Sequence, residues 1–331
     1  MHLSRLESPI AIFMAYKKST IDNQHNVLIT GARGLIGTAL IERLKSTKCS
    51  LFCQSRAHHN STSRIRWIQH NLVADSWAKR RLPVIHYVFH LAGQTSIYEA
   101  KKNPVADLES NVLGLLKLME YLKTQSHCPI VIITGTATQA GINRKNPINE
   151  KTRDNPCTFY DISKLSAEMY LKQYIKEGWI QGCALRLGNV YGKRQDSQNI
   201  NRGILDKIYL QALSGKTIKV FVKQTCKRDY IYIDDVVSAL CAAAINAKKT
   251  NGQTFYIGSG KGTSIGGAFR HVISLAAHKT GKRVKIKNVK APGGLSEIEN
   301  RNVVIDSSKF KRVTGWRPND DFYEQLTQKY A

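Results

Sequence analysis

The stretch VLITGARGLIG, residues 27–37, constrains the fold more than any other. A short apolar run ends in glycines at Gly31, Gly34 and Gly37, and the next residues, LIGTALIERLK, put apolar side chains at 35, 36, 40, 41 and 44, near a helical period. A strand, a glycine turn and a helix in that order make a tight turn, a side-chain-free approach for a pyrophosphate, and a helix N-terminus whose free N–H groups favour negative charge. On its own a glycine triplet is only a turn. At the head of an alternating chain it points to dinucleotide binding.

The alternation continues. SLFCQ, IRWIQ, VIHYVFHLAG and IVIITG read as strands, while LGLLKLMEYLK and SAEMYLKQYIKE have helical spacing. Such a series predicts a parallel sheet covered on both faces. After about residue 190 the segments become shorter and more basic. We therefore expect an α/β chain with a Rossmann-type, doubly wound parallel sheet and a smaller C-terminal α/β substrate lobe. Its parts are an N-terminal extension (1–25), a nucleotide-binding domain (26–190, with parts of 220–260 returning to it) and a mainly substrate-binding lobe (191–331). With 331 residues and 42% hydrophobic content, the chain can bury a sizeable core.

No apolar run approaches the roughly 20 residues of a spanning helix, and no signal peptide is evident, so a cytoplasmic protein is expected. Seven scattered cysteines without a C-x-x-C pair argue for reduced thiols and against a disulfide framework or a metal site. The net charge of +26 favours anionic partners; it fits a lysine-rich solvated surface, and nucleic acid or an anionic surface is a less favoured alternative.

Within TFYDISKLSAEMY, Tyr160 and Lys164 are four apart, on one face of a helix. A neighbouring ammonium favours the phenolate, so the pair is suited to relaying a proton. The preceding strand runs into TGTAT and brings Thr134, Thr136 and Thr138 to the carboxyl edge of the sheet, where a hydroxyl meets a substrate oxygen.

With these residues in place, the chain resembles the extended short-chain dehydrogenase/reductases that act on nucleotide sugars, the NAD(P)-dependent epimerase/dehydratase group, from residue 26 to about 320. The glycine turn matches, as do HLAGQTS (90–96), Asn111 in NPVADLESNVLGLL, RLGNVYG (186–192), KRDYIYIDDVV and GWRP (315–318). The resemblance implies a catalytic set of Thr136, Tyr160 and Lys164. It implies cofactor contacts from Gly31, Arg33, Gly34, Leu35, Ile36, Gly37, Ser55, Arg56, Asn71, Leu72, Leu91, Ala92, Gly93, Asn111, Thr134, Val190 and the Tyr160–Lys164 pair. The substrate, a nucleotide-diphosphate sugar, would meet Thr95, Ser96, Thr136, Thr138, Asn189 and Arg228, with Arg228 offering its planar fork to the diphosphate. A homodimer through a face including residues 112–124 and 163–176 is also implied.

Two departures narrow the expected reaction. Ala137 and Thr138 stand where dehydratases of the group carry an Asp-Glu pair, and neither supplies a carboxylate acid or base. Ser55, 18 residues past Gly37, stands where NAD users carry an aspartate for the ribose, and Arg56 follows it. Serine and arginine accept a 2'-phosphate that an aspartate would repel, so NADP(H) is favoured over NAD(H). A dissociable NADPH suits net reduction. The leading expectation is thus an NADPH-dependent reductase of a nucleotide-diphosphate 4-keto-(6-deoxy)sugar, in surface-polysaccharide or antibiotic-sugar synthesis. The alternatives are a 4-epimerase of the UDP-glucose/UDP-galactose kind and a non-catalytic NAD(P)-sensing or RNA-binding member of the fold.

Overall fold

The computed structural model describes residues 25–143, 145–192, 203–220, 224–289, 297–319 and 321–330. Residues 1–24 of the N-terminal extension and the basic loop after Gly192 lie outside the described residues.

The main sheet has seven strands: β1 (Asn26–Thr30), β2 (Ser50–Ser55), β3 (Ile65–Gln69), β4 (Tyr87–His90), β5 (Ile130–Thr136), β6 (Gln181–Leu187) and β10 (Thr254–Ile257). Their spatial order is β3-β2-β1-β4-β5-β6-β10, and every pairing is parallel. The chain builds outward one way from β1 and then returns to build the other way from β4. That reversal opens a crevice at the carboxyl ends of β1 and β4, the usual ligand position in such sheets.

Both faces are covered, and alternate residues of one strand serve the two sides. In β1, Val27 and Ile29 join α1 (Leu35–Leu44) and α7 (Ile233–Ile245, followed by the short α8, Ala247–Thr250) in one apolar cluster. Leu28 points the other way, into a cluster with α4 (Gly114–Lys123) and α5 (Phe159–Lys176). Each fully buried Leu or Ile contributes about 1.5–3 kcal/mol.

Two helical turns link β4 to α4. They are α2 (Ile97–Lys102) and α3 (Pro104–Leu108), followed by a π-type turn at Glu109–Leu113 that aims Asn111 inward. The smaller lobe has its own apolar cluster, drawn from α6 (Ile204–Leu213), α9 (Ile265–Thr280), α11 (Phe322–Tyr330) and two small sheets. One sheet joins β7 (Asn189–Tyr191), β9 (Lys227–Tyr232) and β11 (Gly262–Ser264); the other pairs β8 (Ile218–Val220) with β12 (Ile286–Asn288).

A late segment stitches the lobe to the main body. Val303 N donates to Lys227 O at 3.0 Å, Ile148 N to Val304 O at 2.8 Å, and Asp306 N to Ile148 O at 2.9 Å. Residues 303–306 thereby lie between the loop after β5 and β9. The helix α10 (Ser308–Thr314) and Trp316 follow, and Trp316 donates through Nε1 to Asp235 O and Ser238 Oγ on α7 at 3.2 and 2.8 Å.

Candidate active site

The glycine turn is built as the spacing predicts. Gly31 has φ +64°, and a Cβ there would lie 2.6 Å from Ala92 N and 2.8 Å from Leu91 C, so the turn packs directly on the end of β4. A Cβ at Gly37 would meet Gly31 O at 2.5 Å, which lets α1 start close against the turn. The helix begins at Gly34 with no side-chain cap and no acidic residue in its first turn. Its leading N–H groups, from Leu35 and Ile36 onward, keep their positive end for an anion. A dinucleotide's diphosphate fits this end. Arg33 flanks the turn, half-buried.

The floor beside it is Gly93 and Asn111. Asn111 is 2% exposed; its Nδ2 donates to Asp107 Oδ1 (3.0 Å) and Ser163 Oγ (3.2 Å), while its Oδ1 is buried without a hydrogen-bond partner. Ser163 also donates to Asp107 Oδ2 at 2.6 Å, and Gln94 to Asp107 Oδ1 at 2.9 Å. Asp107 is thus the centre of a buried polar knot directly under the crevice.

Lys164 lies at the knot's edge. Its Nζ donates to Thr134 O at 3.2 Å, and burial lowers it to about 8, with Asp107 pulling the other way. Tyr160 lies one helical turn before it on α5, beside Thr136. The spacing had suggested a phenolate stabilised by the lysine; in the ligand-free protein the phenol is pushed upward instead, by burial first and then by Asp161 and Asp107. Burial is the largest of these causes, and the two carboxylates add to it. Tyr160 therefore holds its proton.

Thr136 closes the row. It caps the short turn Ala137–Ala140, accepting from Thr138 N at 3.2 Å, and its Oγ1 lies 2.9 Å from Thr138 Oγ1. Thr138 in turn donates to Asp161 Oδ1. Of the residues expected from the second half of the chain, Asn189 is exposed and Val190 half-buried on β7, and Arg228 on β9 donates to Lys227 O at 3.1 Å and to Arg301 O.

Other expected contacts need correction. The Ser55 hydroxyl is turned onto its own chain, donating to Ala57 O (2.7 Å) and accepting from Ala57 N (3.1 Å), so it is not free to donate to a phosphate; Arg56 beside it is exposed. Ser96 Oγ is the N-cap of α2, accepting from Glu99 N at 3.3 Å, while Thr95 next to it is exposed. Leu72 is 8% exposed and packs in the core against Gly114, and Asn71 Oδ1 accepts from Val73 N and Ala74 N in its own turn. Small polar side chains near turns satisfy nearby backbone first. Leu91 and Ala92, half-buried, line the crevice beside Gly93.

Two residues at the site carried no usable sequence signal. Gln54 steers the turn, its Oε1 accepting from Gly31 N at 3.0 Å and its Nε2 donating to His70 O at 2.5 Å. Arg301, 9% exposed, brings Nη1 within 3.8 Å of Asp161 Oδ2. Asp161 itself was visible beside Tyr160 in YDISK, but nothing in that motif marks it as buried.

Residues 27–258 match the model of the NAD dependent epimerase/dehydratase family. Among curated relatives, a putative UDP-glucose 4-epimerase of Methanocaldococcus jannaschii is 27% identical over 91% of this chain and 95% of its own length. The UDP-glucose 4-epimerase of Mycolicibacterium smegmatis is 27% identical over 88% and 93%. A crystal structure of the Thermotoga maritima UDP-glucose 4-epimerase with UDP-glucose superposes with TM-score 0.79 at 26% identity, covering 92% of this chain and 97% of that one.

Proposed function

From the premise that the chain belongs to the NAD-dependent epimerase/dehydratase family, we infer that it is a 4-epimerase of a nucleotide-diphosphate sugar, of the UDP-glucose kind. The likeness to UDP-glucose 4-epimerases along nine-tenths of the chain carries this reading. The site agrees: Tyr160 and Thr136 lie side by side at the sheet edge, and no carboxylate pair for dehydration follows Thr136.

In this reading Gly31, Gly34, Gly37 and the first N–H groups of α1 hold the cofactor diphosphate. Asn111, Thr134 and Lys164 would hold its nicotinamide end, and the group would supply hydride transfer to and from the sugar carbon. Tyr160 moves the proton of the sugar hydroxyl, and Thr136 holds that oxygen in place. Lys164, buried and lowered to about 8, is a cation below that pH and orients the ribose through hydrogen bonds. Arg228 on β9 and Asn189 on β7 grip the substrate diphosphate.

Incubated with UDP-glucose and the oxidised cofactor, the purified protein is expected to form UDP-galactose with no net change in nicotinamide absorbance. No interconversion, together with NADPH consumption on a nucleotide-diphosphate 4-ketosugar, would replace the epimerase by the reductase. A second reading, NADP(H) in place of NAD(H), rests on one observation: β2 ends at Ser55 and exposed Arg56, with no ribose-binding carboxylate. Ser55 contributes nothing to it, so Arg56 carries it alone. Calorimetry showing equal or weaker binding of the phosphorylated cofactor removes this reading.

We also propose a homodimer. Val105 (66% exposed), Leu108, Ile162 and Met169 (62%) leave α3 and α5 with a bare apolar face, larger than isolated surface residues need. Light scattering should give twice the 37.2 kDa chain mass; a single-chain mass discards the dimer.

A further inference from the structure

The proposed reaction gives Arg228 a task but does not say what aims it. Arg228 is half-buried on β9, and its Nη1 donates to two backbone carbonyls, Lys227 O at 3.1 Å and Arg301 O. Two acceptors on one nitrogen fix the plane of the guanidinium. Its direction therefore depends on where the Arg301 carbonyl is held.

The next side chain along the strand holds it. Asp229 points to the opposite face of β9 and is 0% exposed. Its Oδ1 accepts from Ser259 N at 2.7 Å and Ser259 Oγ at 2.9 Å, and its Oδ2 from Gly260 N at 3.1 Å and Ile305 N at 3.0 Å. One carboxylate thus joins three pieces of chain: β9, the turn after β10, and the segment that carries Arg301. The same segment docks on β9 through Val303 N to Lys227 O and through Lys227 N to Asn302 Oδ1 at 2.7 Å. Glycine keeps the space open, since a Cβ at Gly258 would lie 2.8 Å from Asp229 Oδ2. None of the four donors is a cation, and burial raises the carboxyl against their pull. Such a charge is destabilising unless its geometry is needed. An asparagine would remove the charge but put an NH2 where two of the four donors arrive, so only a carboxylate accepts at both ends.

We propose that Asp229 is a positioning residue for the substrate diphosphate: by pinning residues 301–305 against β9 it sets the Arg301 carbonyl, and through it the angle at which Arg228 presents its fork. This rests on the reading of Arg228 as the diphosphate's partner. Without the pin Arg228 keeps its charge but loses its fixed plane. A guanidinium on a loose stem must be ordered at the moment of binding, and it holds phosphate oxygens less well than one already in place.

Calorimetry with UDP, which carries the diphosphate and is not turned over, tests this. Arg228→Ala is expected to weaken UDP binding about 10- to 100-fold, the order of a charge-assisted fork. Asp229→Asn should weaken it about tenfold while affinity for the oxidised cofactor holds within about twofold. In the double variant the loss should match that of Arg228→Ala alone, because Asp229 acts only through it. Should Asp229→Asn fail to fold, Asn302→Ala, at an exposed residue that docks the same segment, takes its place in the cycle. A loss of about threefold is expected there, with no further loss once Arg228 is already alanine. Losses that add in full in the double variant, an unchanged UDP affinity in the single one, or a cofactor affinity that falls alongside overturn the proposal alone. A parent that does not bind UDP, or an Arg228→Ala variant that binds it as the parent does, overturns the diphosphate reading and the proposal with it.

Discussion

Tyr160→Phe is expected to lower turnover of UDP-glucose by about two or more orders of magnitude, with melting temperature and cofactor affinity nearly unchanged. The phenol lies beside Thr136 at the crevice, where it can exchange a proton with a sugar hydroxyl. Burial, Asp161 and Asp107 keep that proton on the ligand-free protein, and a phenylalanine preserves the ring's packing while removing the oxygen. Steady-state rates alongside a calorimetric cofactor titration check this. A variant that loses cofactor binding as well, or one that keeps wild-type turnover, removes Tyr160 from the acid–base role.

The second large effect concerns stability. Arg186 on β6 is buried against Glu168 on α5, with Nε to Oε2 at 2.8 Å and Nη2 to Oε1 at 3.1 Å; it also pairs with Asp154 and donates to the Tyr256 hydroxyl at 2.9 Å. Glu168 is 0% exposed and further receives Thr254 Oγ1 at 2.6 Å, Lys172 Nζ at 2.7 Å and Gln139 Nε2 at 3.1 Å. Arg186→Met leaves that carboxylate buried without its main cation, and a loss of about 3–5 kcal/mol is expected in urea unfolding. Adding Glu168→Gln should restore a large part of it; an unaffected single variant, or no rescue, refutes the pairing as a stabilising unit.

The pH dependence follows from the same pair. Burial alone would raise Glu168, but the hydrogen bond and charge of Arg186 outweigh it and hold the carboxyl at about 2, below its ordinary 4.5. A depressed carboxylate contributes stability above its unfolded value. That contribution is lost as pH falls from 4.5 toward about 2.

Long-period features were legible in the sequence. Alternating apolar runs dictate a parallel sheet, and the Gly31–Gly34–Gly37 spacing dictates the turn that begins it, because both depend on local backbone geometry. Tyr160 and Lys164 were legible for the same reason, sharing one helix face. What the spacing did not carry was the electrostatic setting of Tyr160, since Asp107 reaches it from another helix. Nor did it carry the fate of small polar side chains: Ser55 closes on Ala57 and Ser96 caps a helix, choices made by a few ångströms of loop. Leu72 looked like a ligand contact from its place after β3, yet the apolar layer under α4 claims it. Arg301 and Asp161 belong to distant parts of the chain, and no periodicity links them.

The stitched segment 303–306 sets an order of events in the making of the protein. A ribosome delivers the glycine turn, Tyr160 and Lys164 early, and the nucleotide half has all seven main strands once β10 has emerged. Asp161, however, has no counter-ion until Arg301 follows, and Ile148 and Lys227 wait for the backbone of that same segment. Residues 27–258, the span shared with the family model, therefore form a sheet with an unfinished crevice. The segment that completes it, from Arg301 to Asp306, is translated well after the sheet it joins.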